Sequence, residues 1–184
     1  MALTLIGTPL TLTTAGTALC EYDITSGIDD TYDSYEFHLV NMYPETNNVN
    51  FCFQVDTGTN TNYNQPIAST SFRSYLKTDG SGGTLGYDGN SDQGNDTALQ
   101  RILSTGTGDE TKESVSGVMT LFAPASTTYV KHFTAVGNGA DHGDFTVSSY
   151  TGGYINVDAA ITRIRFSFDS GDIAAGTIKM FGVS

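Results

Sequence analysis

The stretch from Ile161 to Val183 constrains the fold most, because its apolar and polar residues alternate with a period of two. This is the pattern of a strand with one buried and one solvent-exposed face. The buried side of its first half consists of Ile164, Phe166 and Phe168. Asp169-Ser-Gly-Asp172 then supplies turn chemistry, and Ile178 and Met180 continue the pattern. The stretch therefore predicts a β-hairpin that ties down the end of the chain.

The same alternation recurs throughout the rest of the sequence. Tyr35–Asn41 and Val49–Asp56 predict a second hairpin, joined by the turn cluster Tyr43–Asn48. Many short strands at regular spacing, with 21 glycines and abundant Thr, Ser and Asn, are typical of two packed sheets. We therefore predict an all-β, jelly-roll-like β-sandwich of roughly nine or ten strands in a single domain, residues 1–184.

Two segments depart from this pattern. Asp96–Leu103 predicts one short helix, because Asp96 or Thr97 can cap it and its apolar residues fall on one face. Thr78–Asp96 is a long stretch rich in Gly, Asp, Asn and Ser. Its length predicts a loop that is either functional or mobile.

The beginning of the chain carries leucines set among threonines. The pattern is broken by Gly7-Thr-Pro9, which predicts either two short strands or one strand with a kink. We expect residues 1–14 to form N-terminal docking strands that pack on a partner. The leucines assigned to this interface are Leu3, Leu5, Leu10 and Leu12.

The net charge of the chain limits the kinds of partner that it can bind. With 20 acidic and 8 basic residues the net charge is −12, which disfavours binding to nucleic acid and to anionic membrane. No signal peptide or membrane span is evident, so we expect synthesis in the cytoplasm. We expect Cys20 and Cys52 to be free thiols there, while a disulfide remains an alternative.

The tripeptide Asp56-Thr-Gly58 matches the active-site signature of aspartic proteases. One copy of this motif would require a homodimer to complete the two-aspartate dyad. The alternative is a strand that ends at Val55 and is followed by a turn, which the polar segment 60–65 favours.

The segment from Asp88 to Asp96 holds the candidates for a metal site. The D-x-N-x-D spacing of Asp88, Asn90 and Asp92 matches the start of a calcium loop. Gln93 and Leu99 occupy the positions where an EF-hand needs Gly and Glu, which excludes that motif. A looser calcium site that includes Asp96 and a plain solvated loop both remain open.

Arg163 and Arg165 project from the same face of one predicted strand. In so acidic a chain they form either salt bridges or an interface with an acidic partner surface. The ten tyrosines allow a carbohydrate-binding platform, with Tyr87 and the 78–96 loop as candidate contacts. The absence of Trp weakens that interpretation.

Three segments resemble small virion proteins of marine tailed bacteriophages. They are the run YEFHLVNMYPETNNVNFCFQVD (residues 35–56), LFAPASTTYVKHF (residues 121–133) and the ending Ile161–Gly182. The ending contains the pattern Ser-Gly-x-Ile-x-x-Gly-x-Ile-x-x-x-Gly, which recurs at the close of such proteins. The resemblance covers residues 34–184 and implies a structural part of the particle.

The resemblance leads us to expect a non-enzymatic capsid decoration or cement protein that binds the major capsid protein. We expect it to be a homotrimer, located in the virion after assembly in the bacterial host cytoplasm. The alternative is a tail, baseplate or fibre subunit that contacts host glycans. A dimeric aspartic protease centred on Asp56 is the remote alternative.

Overall fold

The computed structural model describes residues 2–12, 19–110 and 112–184. Within these residues the chain forms thirteen strands and no helix. The strands are β1 (Leu3–Leu12), β2 (Tyr22–Ile24), β3 (Ser34–Pro44), β4 (Val49–Thr57), β5 (Ile67–Lys77), β6 (Thr84–Tyr87), β7 (Gln93–Asp96), β8 (Gln100–Thr107), β9 (Val115–Phe122), β10 (Lys131–Ala140), β11 (Phe145–Ile155), β12 (Ile161–Phe168) and β13 (Ile173–Val183).

The strands build two antiparallel sheets. The large sheet has nine strands in the order β1-β13-β3-β9-β10-β11-β5-β6, with β7 also paired to β5. The small sheet has four strands in the order β2-β12-β4-β8. The predicted all-β sandwich is confirmed. The chain passes repeatedly from one sheet to the other, which is its jelly-roll-like feature.

The core lies between the sheets and is rich in aromatic side chains. Phe166 of the small sheet packs edge-on against Phe37 of the large sheet, with ring centroids 5.3 Å apart. Phe53 meets Phe133 across the same gap at 5.0 Å. All four side chains are buried. The apolar members of the alternating patterns therefore form one layer that joins the sheets.

Both predicted hairpins are wrong. β3 lies in the large sheet and β4 in the small one, and β12 and β13 are divided in the same way. Each pair is an arch, whose strands face each other across the core instead of sharing hydrogen bonds. At the second arch the Asp169 carboxylate accepts hydrogen bonds from the backbone N–H and the side-chain amide of Asn50, at 2.9 and 3.0 Å. These contacts hold the connection between β12 and β13 against β4.

The predicted helix over Asp96–Leu103 is also wrong. Asp96 ends β7, and Gln100–Thr107 form β8, which pairs with β4. The register of this pairing shifts twice, and both Ile102 and Leu103 are buried. Asp96 does accept cap-like bonds from the N–H groups of Thr97 and Ala98, but they stabilise a turn. Core contacts have overridden the local helical preference.

The strand count exceeds the predicted nine or ten mainly because of short strands. β6 and β7 lie within Thr78–Asp96, which the sequence predicts as irregular. Both pair with β5 and extend the large sheet. Both cysteines are free, with Cys20 exposed and Cys52 buried, as expected for unpaired thiols.

Replacing Phe166 with alanine tests the aromatic layer. The ring touches Phe37 and Phe51, so its loss leaves a cavity between the sheets. We expect the free energy of unfolding to fall by about 3–5 kcal/mol, as measured by urea denaturation. The matched control is Phe122→Ala, whose side chain is 41% exposed and should cost less than about 1 kcal/mol. Equal losses for the two variants would contradict this account of the core.

Candidate functional site

The edge strand β1 is the first candidate. It is one strand that pairs with β13, and its register breaks between Ile6 and Leu10. Gly7 adopts a φ of +67° at this break, a conformation that suits glycine. The kinked single strand is therefore the correct one of the two sequence alternatives. Of residues 1–14, Met1, Thr13 and Thr14 lie outside the described residues.

The four leucines predicted to dock differ in exposure. Leu3 and Leu5 are about half exposed, at 50% and 48%. Leu10 and Leu12 are half-buried and pack against the core of the same chain. A partner can therefore reach the first two side chains, whereas the other two already serve the fold.

Arg165 is held by contacts within the chain. Its Nε and Nη2 donate to the two carboxylate oxygens of Asp23 at 2.6 and 2.8 Å, and Nη1 lies 2.8 Å from Glu21 Oε2. The guanidinium carbon also stands 4.0 Å from the ring centroid of Tyr63. These hydrogen bonds lower the pKa of the Asp23 carboxyl. Salt bridging, one of the two alternatives for the arginines, therefore describes Arg165.

Arg163 is held more loosely. Its Nε donates to the carbonyl of Gly58 at 3.3 Å, and it pairs in register with Asp56 across β12 and β4. The interface prediction for Arg163 and Arg165 stays a prediction.

Asp56 of the protease-like tripeptide is fully buried at the end of β4. Its carboxylate accepts hydrogen bonds from Thr57 N, Tyr63 N and Gln65 Nε2 at 2.8, 2.9 and 3.0 Å. These three bonds fold the segment 57–65 back over the strand end. The geometry gives this carboxylate a structural task, which is the turn alternative of the sequence analysis.

The calcium candidates are engaged in separate local contacts. Asp88 is buried, accepts from Ser91 Oγ at 2.9 Å and lies 3.7 Å from Arg73 Nε. Asp92 accepts from the Tyr87 hydroxyl. The Asn90 carbonyl accepts from Arg101, and Asp96 bonds to its own turn. Among the described residues, no three His, Cys, Asp or Glu side chains form a group that could hold a metal ion.

The sequence analysis did not identify the surface that we call the outer face. The outer face is the side of five adjacent strands, β6, β5, β11, β10 and β9, that points away from the small sheet. It consists of the even-numbered residues of β5, β9, β10 and β11, together with Leu85 and Tyr87 of β6. None of these residues is Asp, Glu, Lys or Arg, and one, His132, is a histidine. On a chain of net charge −12 this uncharged area stands apart.

A row of apolar side chains crosses the outer face from strand to strand. Its members are Tyr87, Phe72, Tyr150, Val136 and Val118. Their exposed fractions range from 36% to 65%. The rings of Phe72 and Tyr150 stack with centroids 4.9 Å apart and planes 5° from parallel. Exposed contiguous apolar patches are typical of interaction surfaces, which makes this row a candidate.

One signal in the sequence could have indicated the outer face. On β10, Val136 lies on the same side as His132 and Thr134, opposite the buried Phe133 and Ala135. Apolar residues on the solvent-exposed side occur on several strands, but they can be recognised as a row only when the strand order is known. The strand order depends on long-range pairing that a single sequence does not show.

Comparison with family models, curated proteins and solved structures finds no match for this chain. Among the described residues, no helix is long and apolar enough to cross a membrane.

Acid sensitivity tests the Asp23–Arg165 pair. Because folding lowers the pKa of Asp23, its contribution to stability is full above its unfolded pKa of about 3.9 and is lost as the pH falls through the folded pKa. The carboxylate is 33% exposed, so the contribution should stay below about 1 kcal/mol. Asp23→Asn should flatten the stability profile below about pH 5, measured by urea denaturation at each pH. The exposed control Asp30→Asn should leave the profile unchanged, and equal flattening in both would contradict the pairing.

Asp56→Asn tests the structural task of the buried carboxylate. Asparagine would place an N–H₂ donor where the Asp56 carboxylate now accepts three hydrogen bonds. We therefore expect a loss of about 1–3 kcal/mol in the free energy of unfolding. Thermal and urea denaturation measure it, again with Asp30→Asn as control. Unchanged stability together with loss of a proteolytic activity would instead support the aspartic-protease alternative.

Proposed function

We propose that this chain is a non-enzymatic structural protein of a bacteriophage virion, which decorates the head and stabilises it by binding the major capsid protein. The observation that carries the proposal is β1, an apolar edge strand with Leu3 and Leu5 half exposed. The resemblance of residues 34–184 to small virion proteins of marine tailed bacteriophages supports the same role.

An edge strand offers two kinds of contact to a partner. Among the described residues no second strand pairs with the outer side of β1, so its N–H and C=O groups there can bond to a partner strand, and its exposed leucines can enter an apolar pocket. Gly7 and Pro9 interrupt the middle of the edge, so the continuous part available for pairing is Leu3–Ile6. A stable cement contact would need to bury about 1,000 Å² or more in total, so β1 would serve as the anchor of a larger footprint.

Assembly would proceed in the bacterial cytoplasm, with the mature protein located in the virion. We propose a homotrimer, because a decoration protein that spans capsomer boundaries gains from repeating its contact around a symmetry axis. The contact would stabilise the head by holding neighbouring capsomers together.

The double substitution Leu3→Thr with Leu5→Thr tests the docking strand. Threonine retains the strand preference, and the variant loses about 2 kcal/mol of apolar contact, which corresponds to a ~30-fold weaker affinity for particles. Occupancy on heads stripped of the native protein would be measured by sedimentation and quantitative gel analysis. The control is Tyr129→Ser, at a side chain that is 73% exposed and remote in sequence from β1. Full occupancy by the double variant would contradict the proposal.

Point substitution is preferable to deletion of residues 1–14. Deletion would uncover the hydrogen-bonding edge of β13 and remove Ile6, Leu10 and Leu12 from contact with the core. If a truncated chain lost binding, the loss could come either from the missing docking strand or from lower stability of the fold.

Tyr87 favours a second candidate, the tail, baseplate or fibre subunit that contacts host glycans. Its ring is 65% exposed at the edge of the large sheet, and its hydroxyl donates to the Asp92 carboxylate. An exposed ring beside a hydrogen-bonding carboxylate is suited to a sugar. Tyr87→Ala should abolish retention on host surface polysaccharide if this candidate is correct, and unchanged retention or no retention by the native protein would exclude it.

A further inference from the structure

We propose that the outer face is the surface on which a second copy of this chain docks. This inference goes beyond the proposed function, which assigns β1 to the capsid lattice and proposes a homotrimer without locating a contact between copies. It does not depend on the identity of the lattice. Three properties of the outer face carry it: its area, its lack of charge and its shape.

The area is sufficient for a stable contact. Five adjacent strands at a spacing of about 4.8 Å and a length of about nine residues at ~3.3 Å each cover about 24 by 30 Å, or about 700 Å². A standard interface buries about 800 Å² on each partner. The outer face therefore approaches the required area without contributions from loops, and a row of half-exposed aromatic and branched side chains crosses its middle.

The charge distribution favours a copy of the same chain. Two bodies of net charge −12 repel each other, and contact is least costly where neither presents a carboxylate. The strand residues of the outer face on β6, β5, β11, β10 and β9 include no acid and no Lys or Arg. The carboxylate of Asp92, which accepts from the Tyr87 hydroxyl, lies at its β6 margin. A basic partner would instead be attracted to the acidic remainder of the surface.

The shape of the outer face contains both a projection and a recess. The Phe72–Tyr150 stack stands beside a depression of about 270 Å³, which Thr70, Thr134 and Gly152 help to line. Gly152 aligns with Thr70 on one side and Thr134 on the other, so the missing side chain leaves the recess. A surface with an aromatic stack next to a recess can receive a copy of itself across a two-fold axis, which is an isologous contact. Such a contact joins copies in pairs and is therefore additional to the three-fold contact of the proposed homotrimer.

Two substitutions test the contact without disturbing the fold. Tyr150→Lys places a charge in the apolar row at a side chain that is 41% exposed. Gly152→Glu fills the recess with a charged group, and a Cβ at this position meets its nearest neighbours at an ordinary 3.8 and 3.9 Å. The adjacent Gly153 would not serve, because a Cβ there would clash with the Ala68 carbonyl oxygen. The matched control is Tyr129→Lys, outside the outer face.

Analytical ultracentrifugation of the full chain over a concentration series gives the self-association constant. We expect the native protein and Tyr129→Lys to associate, and each of the two outer-face variants to associate at least ~30-fold more weakly. Circular dichroism and thermal unfolding check that all the variants fold. Raising the salt from about 0.05 to 0.5 M should strengthen native association, because it screens the repulsion between acidic bodies.

A native chain that stays monomeric up to the concentrations reached in assembly would overturn this inference. Association that the two outer-face variants leave unchanged would also overturn it, by placing the contact elsewhere. Unchanged association of the variants would overturn the outer-face contact alone, whereas a monomeric native chain would also contradict the proposed homotrimer. Neither result affects the β1 docking test, so failure of the outer-face contact and failure of the capsid-binding role are distinguishable.

Discussion

The packing of aromatic side chains between the two sheets is the interaction on which the rest of the structure depends. Phe166 contacts Phe37 across the gap and Phe51 within its own sheet, and Phe53 reaches Phe133. Because β3 and β4, like β12 and β13, lie in different sheets, each of these arches is stable only if this layer is filled. The layer thereby fixes the strand order, and the strand order sets which residues meet on the surface.

The unequal size of the sheets has a direct consequence for function. The small sheet of four strands covers part of one side of the nine-stranded sheet, and the other side of the large sheet keeps alternate side chains exposed. Most proteins place charged residues on such a side. Here five adjacent strands place none of the four charged residue types on it, although the chain is strongly acidic. Depletion of charged residues over such an area is typical of the core of a protein–protein interface.

The two proposed surfaces would divide the work of a cement protein. β1 presents its exposed leucines at one edge of the large sheet, and the outer face begins at β9, beyond β13 and β3. One surface would hold the protein to the lattice and the other would hold copies of the protein together. Separate surfaces allow both contacts to form at once, and the strength of each can then multiply through multivalency.

The sequence predicted the fold class because alternation with a period of two is a local property of each strand. It could not predict pairing, since Ile161–Val183 shows the same alternation whether its halves form a hairpin or an arch. The segment Asp96–Leu103 was predicted as a helix, but its capping acid and leucine spacing are equally compatible with a turn followed by β8. Burial of Ile102 and Leu103 favours the strand over the helix. At the candidate site, Leu3 and Leu5 were predicted to dock and are exposed, whereas the outer face emerged only from the register of five strands.

Imaging of intact virions by electron cryomicroscopy would test the central claim most directly. We expect density of the size of this sandwich spread over the head in fixed proportion to the capsid lattice, with β1 toward the lattice and the outer face turned to another copy. Density confined to the tail, or an outer face open to solvent in every copy, would contradict it.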